Sequence, residues 1–89
     1  MPQAPNRRRE PRISSEGPVT MVVDSALPYE IVGALVDVSP SGFCARFEHC
    51  ELHRDDRIRF RHKHAQGVAI VIWTRILGQT CDAGFYITK

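Results

Sequence analysis

The feature that most constrains the fold of this 89-residue chain is a series of short apolar runs separated by turn residues. The clearest run is 57–62, where Ile58 and Phe60 alternate with three arginines, the pattern of a half-buried antiparallel strand. No segment shows the apolar period of an amphipathic helix. Six closely spaced strands predict an all-β sandwich or barrel, and a barrel is favoured because its closure removes exposed strand edges. We place the other five strands at 19–23, 29–38, 43–47, 68–77 and 84–87.

Composition bounds the class of protein. Hydrophobic residues make up 43% of the chain and charged residues 25%, which is typical of a single soluble globular domain. No apolar run reaches the ~20 residues that span a bilayer, and the basic start is not followed by the apolar core of a secretion signal. We therefore expect a cytoplasmic protein without a membrane span, whose cysteines Cys44, Cys50 and Cys81 are reduced thiols.

Positive charge is concentrated in two segments, although the net charge is only +2. Four arginines lie in residues 1–12, and five further basic residues lie in 54–63. Such clusters favour an anionic partner, whether a nucleotide, a nucleic acid or a membrane surface. Residues 1–12 also hold three prolines and almost no apolar side chain, so we expect a flexible arginine-rich segment at 1–12 before a folded barrel domain at 13–89.

The segment 37–42, Asp-Val-Ser-Pro-Ser-Gly, joins the second and third predicted strands. In a turn, the side chains of Asp37 and Ser39 can bond nearby backbone groups, and Gly42 can supply a positive φ. Strict alternation along the preceding strand places Asp37 on the same face as Leu35.

Two motifs carry a family resemblance. Arg8-x-x-x-Arg12 precedes the first predicted strand, and Asp37-x-Ser39-x-x-Gly42 follows the second. Together they resemble the two-part signature of the PilZ domain, a bacterial receptor for the second messenger cyclic di-GMP. The resemblance implies a stand-alone PilZ receptor.

The resemblance covers nearly the whole chain, since residues 71–73 and 84–86 look like the last two strands of the family. It implies a six-stranded antiparallel PilZ-type β-barrel. A C-terminal helix often follows that barrel, but this sequence stops at Lys89, so we expect little or no helix here.

The resemblance also implies a ligand site, and the chemistry of the residues suits it. An arginine guanidinium can meet guanine bidentately, pair with phosphate or stack on a purine. A carboxylate can accept hydrogen bonds from guanine N1–H and its exocyclic amine, donors that adenine does not present together. The implied binding residues are Arg7, Arg8, Arg12, Asp37, Ser39 and Gly42.

The expected function is therefore a cyclic di-GMP receptor or adaptor that changes conformation on binding and signals to an unidentified protein partner. The ligand often binds as a stacked dimer, and no other cofactor is expected. We expect no enzymatic activity, because Ser39 lacks the glycines of a nucleophile elbow and has no placeable His/Asp partner. A PilZ domain that binds only protein is disfavoured because both motifs are intact.

Two other classes of site stay open. A small barrel could bind single-stranded nucleic acid through the arginine-rich strand, but the aromatic residues that would stack bases look committed to the core. These are Phe43, Phe47, Phe60, Phe85 and also Trp73. A zinc site is conceivable but is not predicted, because no pair has C-x-x-C spacing among Cys44, His49, Cys50, His53, His62 and His64.

Overall fold

The computed structural model describes residues 10–49 and 51–88. These residues form seven strands and no helix. The described part of the chain therefore contains no helix that could span a membrane. The strands are β1 (Ile13–Ser14), β2 (Pro18–Val23), β3 (Tyr29–Ser39), β4 (Gly42–Phe47), β5 (Arg57–His62), β6 (Ala65–Leu77) and β7 (Thr80–Thr88).

Six of the strands close into an antiparallel barrel. Their order is β3-β2-β5-β6-β7-β4, and β4 pairs again with β3 to complete the ring. The short β1 lies on the same edge of β3 as β2, along the part of that edge that β2 leaves unpaired. Ile13 lies opposite Val38, and Ser14 opposite Asp37. The predicted six-stranded all-β barrel is therefore confirmed. The additional β1 was not predicted, because two residues are too few to show a period of two.

The interior of the barrel is filled by alternate side chains from every strand of the ring. Phe43 packs there against two other phenylalanines, with its ring centroid 4.7 Å from that of Phe60 and 4.6 Å from that of Phe85. Leu52, from the loop between β4 and β5, is also buried and belongs to this core. All four phenylalanines are at most 4% exposed, as predicted, and burying each contributes about 1.5–3 kcal/mol.

Two segments that lie between predicted strands belong to strands. Residues 65–67 lie between the predicted strands 57–62 and 68–77, but β6 begins at Ala65 and pairs there with His62. Gly67 suggested a turn, yet it sits in the ladder opposite the large ring of Phe60. Similarly, β7 begins at Thr80 rather than at residue 84. Its first residues include a charged side chain that hides the strand pattern.

Two β-bulges interrupt the alternation of the long strands. The register shifts between Leu35 and Asp37 in β3, and between Val71 and Trp73 in β6. One extra residue moves everything after it to the opposite face of the sheet. Leu35 and Val71 are buried in the core, whereas Asp37 and Trp73 face outward. The predictions that Asp37 shares a face with Leu35 and that Trp73 lies in the core are wrong for this reason.

Candidate functional site

The outer face of the barrel carries a pocket of about 260 Å³ beside the β3–β4 turn. Four of the six predicted binding residues line it: Arg12, Asp37, Ser39 and Gly42. Arg7 and Arg8 lie outside the described residues. Trp73, which the β6 bulge turns outward, lines the same pocket. A larger groove on β3 and β4, of about 380 Å³, holds none of the predicted residues.

One charge pair lies inside the pocket and joins Arg12 and Asp37. Arg12 Nη1 lies 3.5 Å from Asp37 Oδ1, at the outer limit of a hydrogen bond. The Arg12 side chain is 48% exposed and that of Asp37 22%, so solvent screens the pair and makes it weak. A guanidinium has five donors and a carboxylate about four acceptor sites. Both groups therefore keep capacity to bind a ligand.

The β3–β4 turn is held from two sides. The backbone N–H of Ile87 donates to Ser41 O at 2.8 Å, which ties the turn to β7. Ser41 Oγ donates to Glu10 Oε1 at 2.7 Å, which ties it to the segment that carries Arg12. Ser39 Oγ donates to Gly42 O over a long 3.4 Å, so its hydroxyl can be recruited by a ligand at little cost.

Gly42 is required by close packing rather than by its backbone angle. It does not have a positive φ, so that expectation is wrong. A Cβ at this position would overlap the carbonyl oxygen of Phe85 on the neighbouring strand. The sequence could not indicate this contact, because the two residues meet only through the β4–β7 pairing.

We expect Gly42→Ala to lower the free energy of unfolding by about 1–3 kcal/mol, because the methyl group must push β4 away from β7. Chemical denaturation, followed by circular dichroism, measures this loss. An unchanged midpoint would show that the two strands can separate without cost.

Cys44 lies on β4 between two residues of the pocket, Asp37 on β3 and Gly84 on β7. It is only 5% exposed. Burial, followed by the negative charges of Asp37 and Asp82, raises the pKa of the Cys44 thiol to about 11. The thiol is therefore protonated at neutral pH and is a poor nucleophile.

Trp73 is seated on Gly84, where a Cβ would overlap the indole nitrogen. The guanidinium carbon of Arg75 lies 5.8 Å from the centre of the indole ring. Arg75 also approaches Asp82, with Nη2 at 4.0 Å from Oδ2. A chain of contacts thus connects the tryptophan of the pocket to a buried carboxylate.

That carboxylate, Asp82, is 4% exposed and is bound by Arg46 through two hydrogen bonds. Arg46 Nε donates to Oδ1 at 2.6 Å and Nη2 to Oδ2 at 3.0 Å. These hydrogen bonds lower the pKa of Asp82 against the opposing effect of burial. The sequence pattern did not indicate this pair, because Asp82 lies between the predicted strands 68–77 and 84–87.

The lowered pKa of Asp82 has a consequence for acid stability. A carboxylate with a lowered pKa stabilises the fold fully above its ordinary value of 3.8, and this contribution is lost as pH falls through the lower folded value. We expect Asp82→Asn to be less stable than the native chain at neutral pH and to lose less of its remaining stability below pH ~4. Thermal melts across this range test the prediction, and parallel pH profiles would contradict it.

Five of the six histidines and cysteines considered for zinc lie in the part of the chain that the structure describes. Within 10–49 and 51–88, no three His, Cys, Asp or Glu side chains could jointly hold a metal ion. His62 points into the core, where its Nδ1 accepts a hydrogen bond from the backbone N–H of His64 at 3.1 Å. Cys50 lies outside the described residues.

Comparison with protein-family models and with curated proteins finds no match to this chain. Its function must therefore be inferred from the chemistry of the pocket and from the two sequence motifs.

Proposed function

We propose that the pocket beside the β3–β4 turn binds cyclic di-GMP, and that the chain is a PilZ-type receptor that signals to a protein partner. One observation carries this proposal. Arg12 and Asp37, 25 residues apart and drawn from the two motifs, line a single pocket together with Ser39, Gly42 and Trp73.

The two charged groups suit the two kinds of polar group on the ligand. The Asp37 carboxylate can accept from guanine N1–H and the exocyclic amine, while Arg12 can meet guanine O6 and N7 or a phosphate. Their existing contact is weak enough to open, so one ligand can engage both. The Ser39 hydroxyl lies beside them as a further hydrogen-bonding group.

Trp73 adds an aromatic surface to these polar groups. Stacking of a base on an aromatic side chain is worth about 1–3 kcal/mol. A pocket of about 260 Å³ is below the roughly 300–1,000 Å³ typical of drug-sized ligands, so it would hold part of the dinucleotide. The remainder would meet the arginines that precede Arg12, including Arg7 and Arg8.

A conformational signal follows from this division of contacts. The arginines belong to the N-terminal segment, whereas Asp37 and Ser39 belong to the barrel. A ligand that binds both fixes the segment against the barrel and changes the surface offered to a partner. The hydrogen bond from Ser41 to Glu10 already brings the two parts together beside the pocket.

Calorimetry with cyclic di-GMP tests the proposal and reports stoichiometry, with cyclic di-AMP as the comparison. We expect saturable binding of the guanine dinucleotide and much weaker binding of the adenine one. Trp73 is the single tryptophan, so its fluorescence reports on the pocket directly. The absence of both a binding heat and a fluorescence change at saturating cyclic di-GMP would refute the proposal.

A second candidate function is binding of single-stranded nucleic acid to the outer face of β5. Arg59 and Arg61 are exposed there and make no ion pair with any residue that the structure describes. The outward side chains beside them offer no aromatic ring for stacking: Thr20, Val22, Gln66 and Val68. Salt-dependent binding of an oligothymidine, with no response to cyclic di-GMP, would favour this function instead.

A further inference from the structure

Strand β6 extends beyond the elements that cover one of its edges. On one side it pairs with β7 as far as Leu77, whereas on the other side β5 reaches only Ile70. Val71 is bonded there to the loop residues Asp55 and Asp56. Beyond it, no backbone group of 10–49 or 51–88 pairs with residues 73–77 on that side, which we name the free edge of β6.

The hairpin geometry indicates which backbone groups the free edge presents. Leu77 and Thr80 flank a two-residue turn whose first residue, Gly78, has φ 63°, as a type II′ turn requires. The flanking residues of such a turn form a hydrogen-bonded pair, and in an antiparallel ladder the next pair is not hydrogen-bonded. Ile76 and Thr74 therefore direct their N–H and C=O groups away from β7.

The side chains of the free edge do little to protect it. Ile76 is 71% exposed and Leu77 39%. The edge contains no proline or lysine, and its one charge, on Arg75, lies toward Asp82 and Trp73. An edge with unpaired backbone groups and exposed apolar side chains is a template for another strand.

We infer that the free edge of β6 pairs with the same edge of a second copy of this chain, giving an antiparallel, two-fold symmetric dimer. A register centred on Ile76 lets the two Ile76 residues exchange their outward hydrogen bonds. It also places each Arg75 opposite a leucine rather than opposite the other arginine. The edge is thus complementary to itself, as a two-fold interface requires.

The contact is short, so the dimer is a weak one. Interfaces that bury less than roughly 1,200 Å² are typical of transient complexes. Self-association should therefore depend on concentration and should not require a ligand.

Sedimentation equilibrium of the full chain, from micromolar to millimolar concentration, tests this inference. We expect the average mass to rise from 10.1 kDa toward twice that value. Ile76→Lys places like charges at the two-fold axis, and Ile76→Pro removes the outward N–H that the two copies exchange. Each should weaken self-association about tenfold or more. Leu27→Lys is the matched control, because Leu27 is 83% exposed and lies in the β2–β3 connection, away from this edge. This variant should dimerise like the native chain.

Thermal melts establish that the variants are folded. A native chain that stays monomeric at millimolar concentration would overturn the inference. So would a dimer whose strength is unaffected by both Ile76→Lys and Ile76→Pro.

Discussion

We expect that replacing Arg12 by alanine will remove most cyclic di-GMP binding and leave the barrel folded. Hydrogen bonds to charged groups are worth about 1.5–3 kcal/mol, so the expected loss of affinity is about 10- to 150-fold. The fold should tolerate the change, because Arg12 is half exposed and its ion pair with Asp37 is weak. Calorimetry measures the affinity, and a thermal melt verifies the fold.

The matched control is Arg59→Ala, which removes the same charge from the outer face of β5, away from the pocket. We expect it to bind like the native chain. Arg8→Ala should behave like Arg12→Ala, because the family resemblance gives both arginines the same role. If Arg12→Ala keeps native affinity and a native melt, Arg12 does not bind the ligand.

The fold could be predicted because most strands keep a strict period of two. The alternation of Ile58 and Phe60 with arginines located β5 to the residue, and the predicted core phenylalanines are buried. Short runs also signalled how many strands close the ring. Local pattern is sufficient where a strand is regular and one of its faces is buried.

Local pattern failed where the strands bulge. The extra residues in β3 and β6 reverse the facing of Asp37 and Trp73, and both then line the same pocket. A bulge depends on how two strands pair, so no single strand encodes it in its own sequence. Bulges commonly re-aim side chains beside functional sites. The three residues of the motif Asp37-x-Ser39-x-x-Gly42 thus line one pocket, whereas periodicity placed the carboxylate of Asp37 on the wrong face.

Contacts between distant strands were equally hidden from the sequence. Gly42 must lack a side chain because of Phe85, and Gly84 because of Trp73. Asp82 lies in a strand because Arg46, on the neighbouring strand, neutralises it. Each of these requirements involves a partner that only the register of the barrel supplies, so composition and spacing could not reveal it.

Replacing Asp37 by alanine should lower affinity for cyclic di-GMP by about 5- to 150-fold. The N1–H and amine donors of a bound guanine would lose their acceptor, which costs about 1–3 kcal/mol when the site excludes water. The melt should change little, because the Arg12 partner is 48% exposed and water can solvate it. Calorimetry with the guanine and adenine dinucleotides, on both proteins, measures the effect.

Asp24→Ala provides the control for net charge, since the Asp24 side chain is 65% exposed and lies outside the pocket. It removes one negative charge and should leave affinity unchanged. If Asp24→Ala and Asp37→Ala alter binding equally, the carboxylate acts only through the overall field of the protein. If the native chain binds both dinucleotides equally well, the pocket reads phosphate and not the base. A loss confined to Asp37→Ala, with the adenine dinucleotide rejected by the native chain, is the result expected of a carboxylate that recognises guanine.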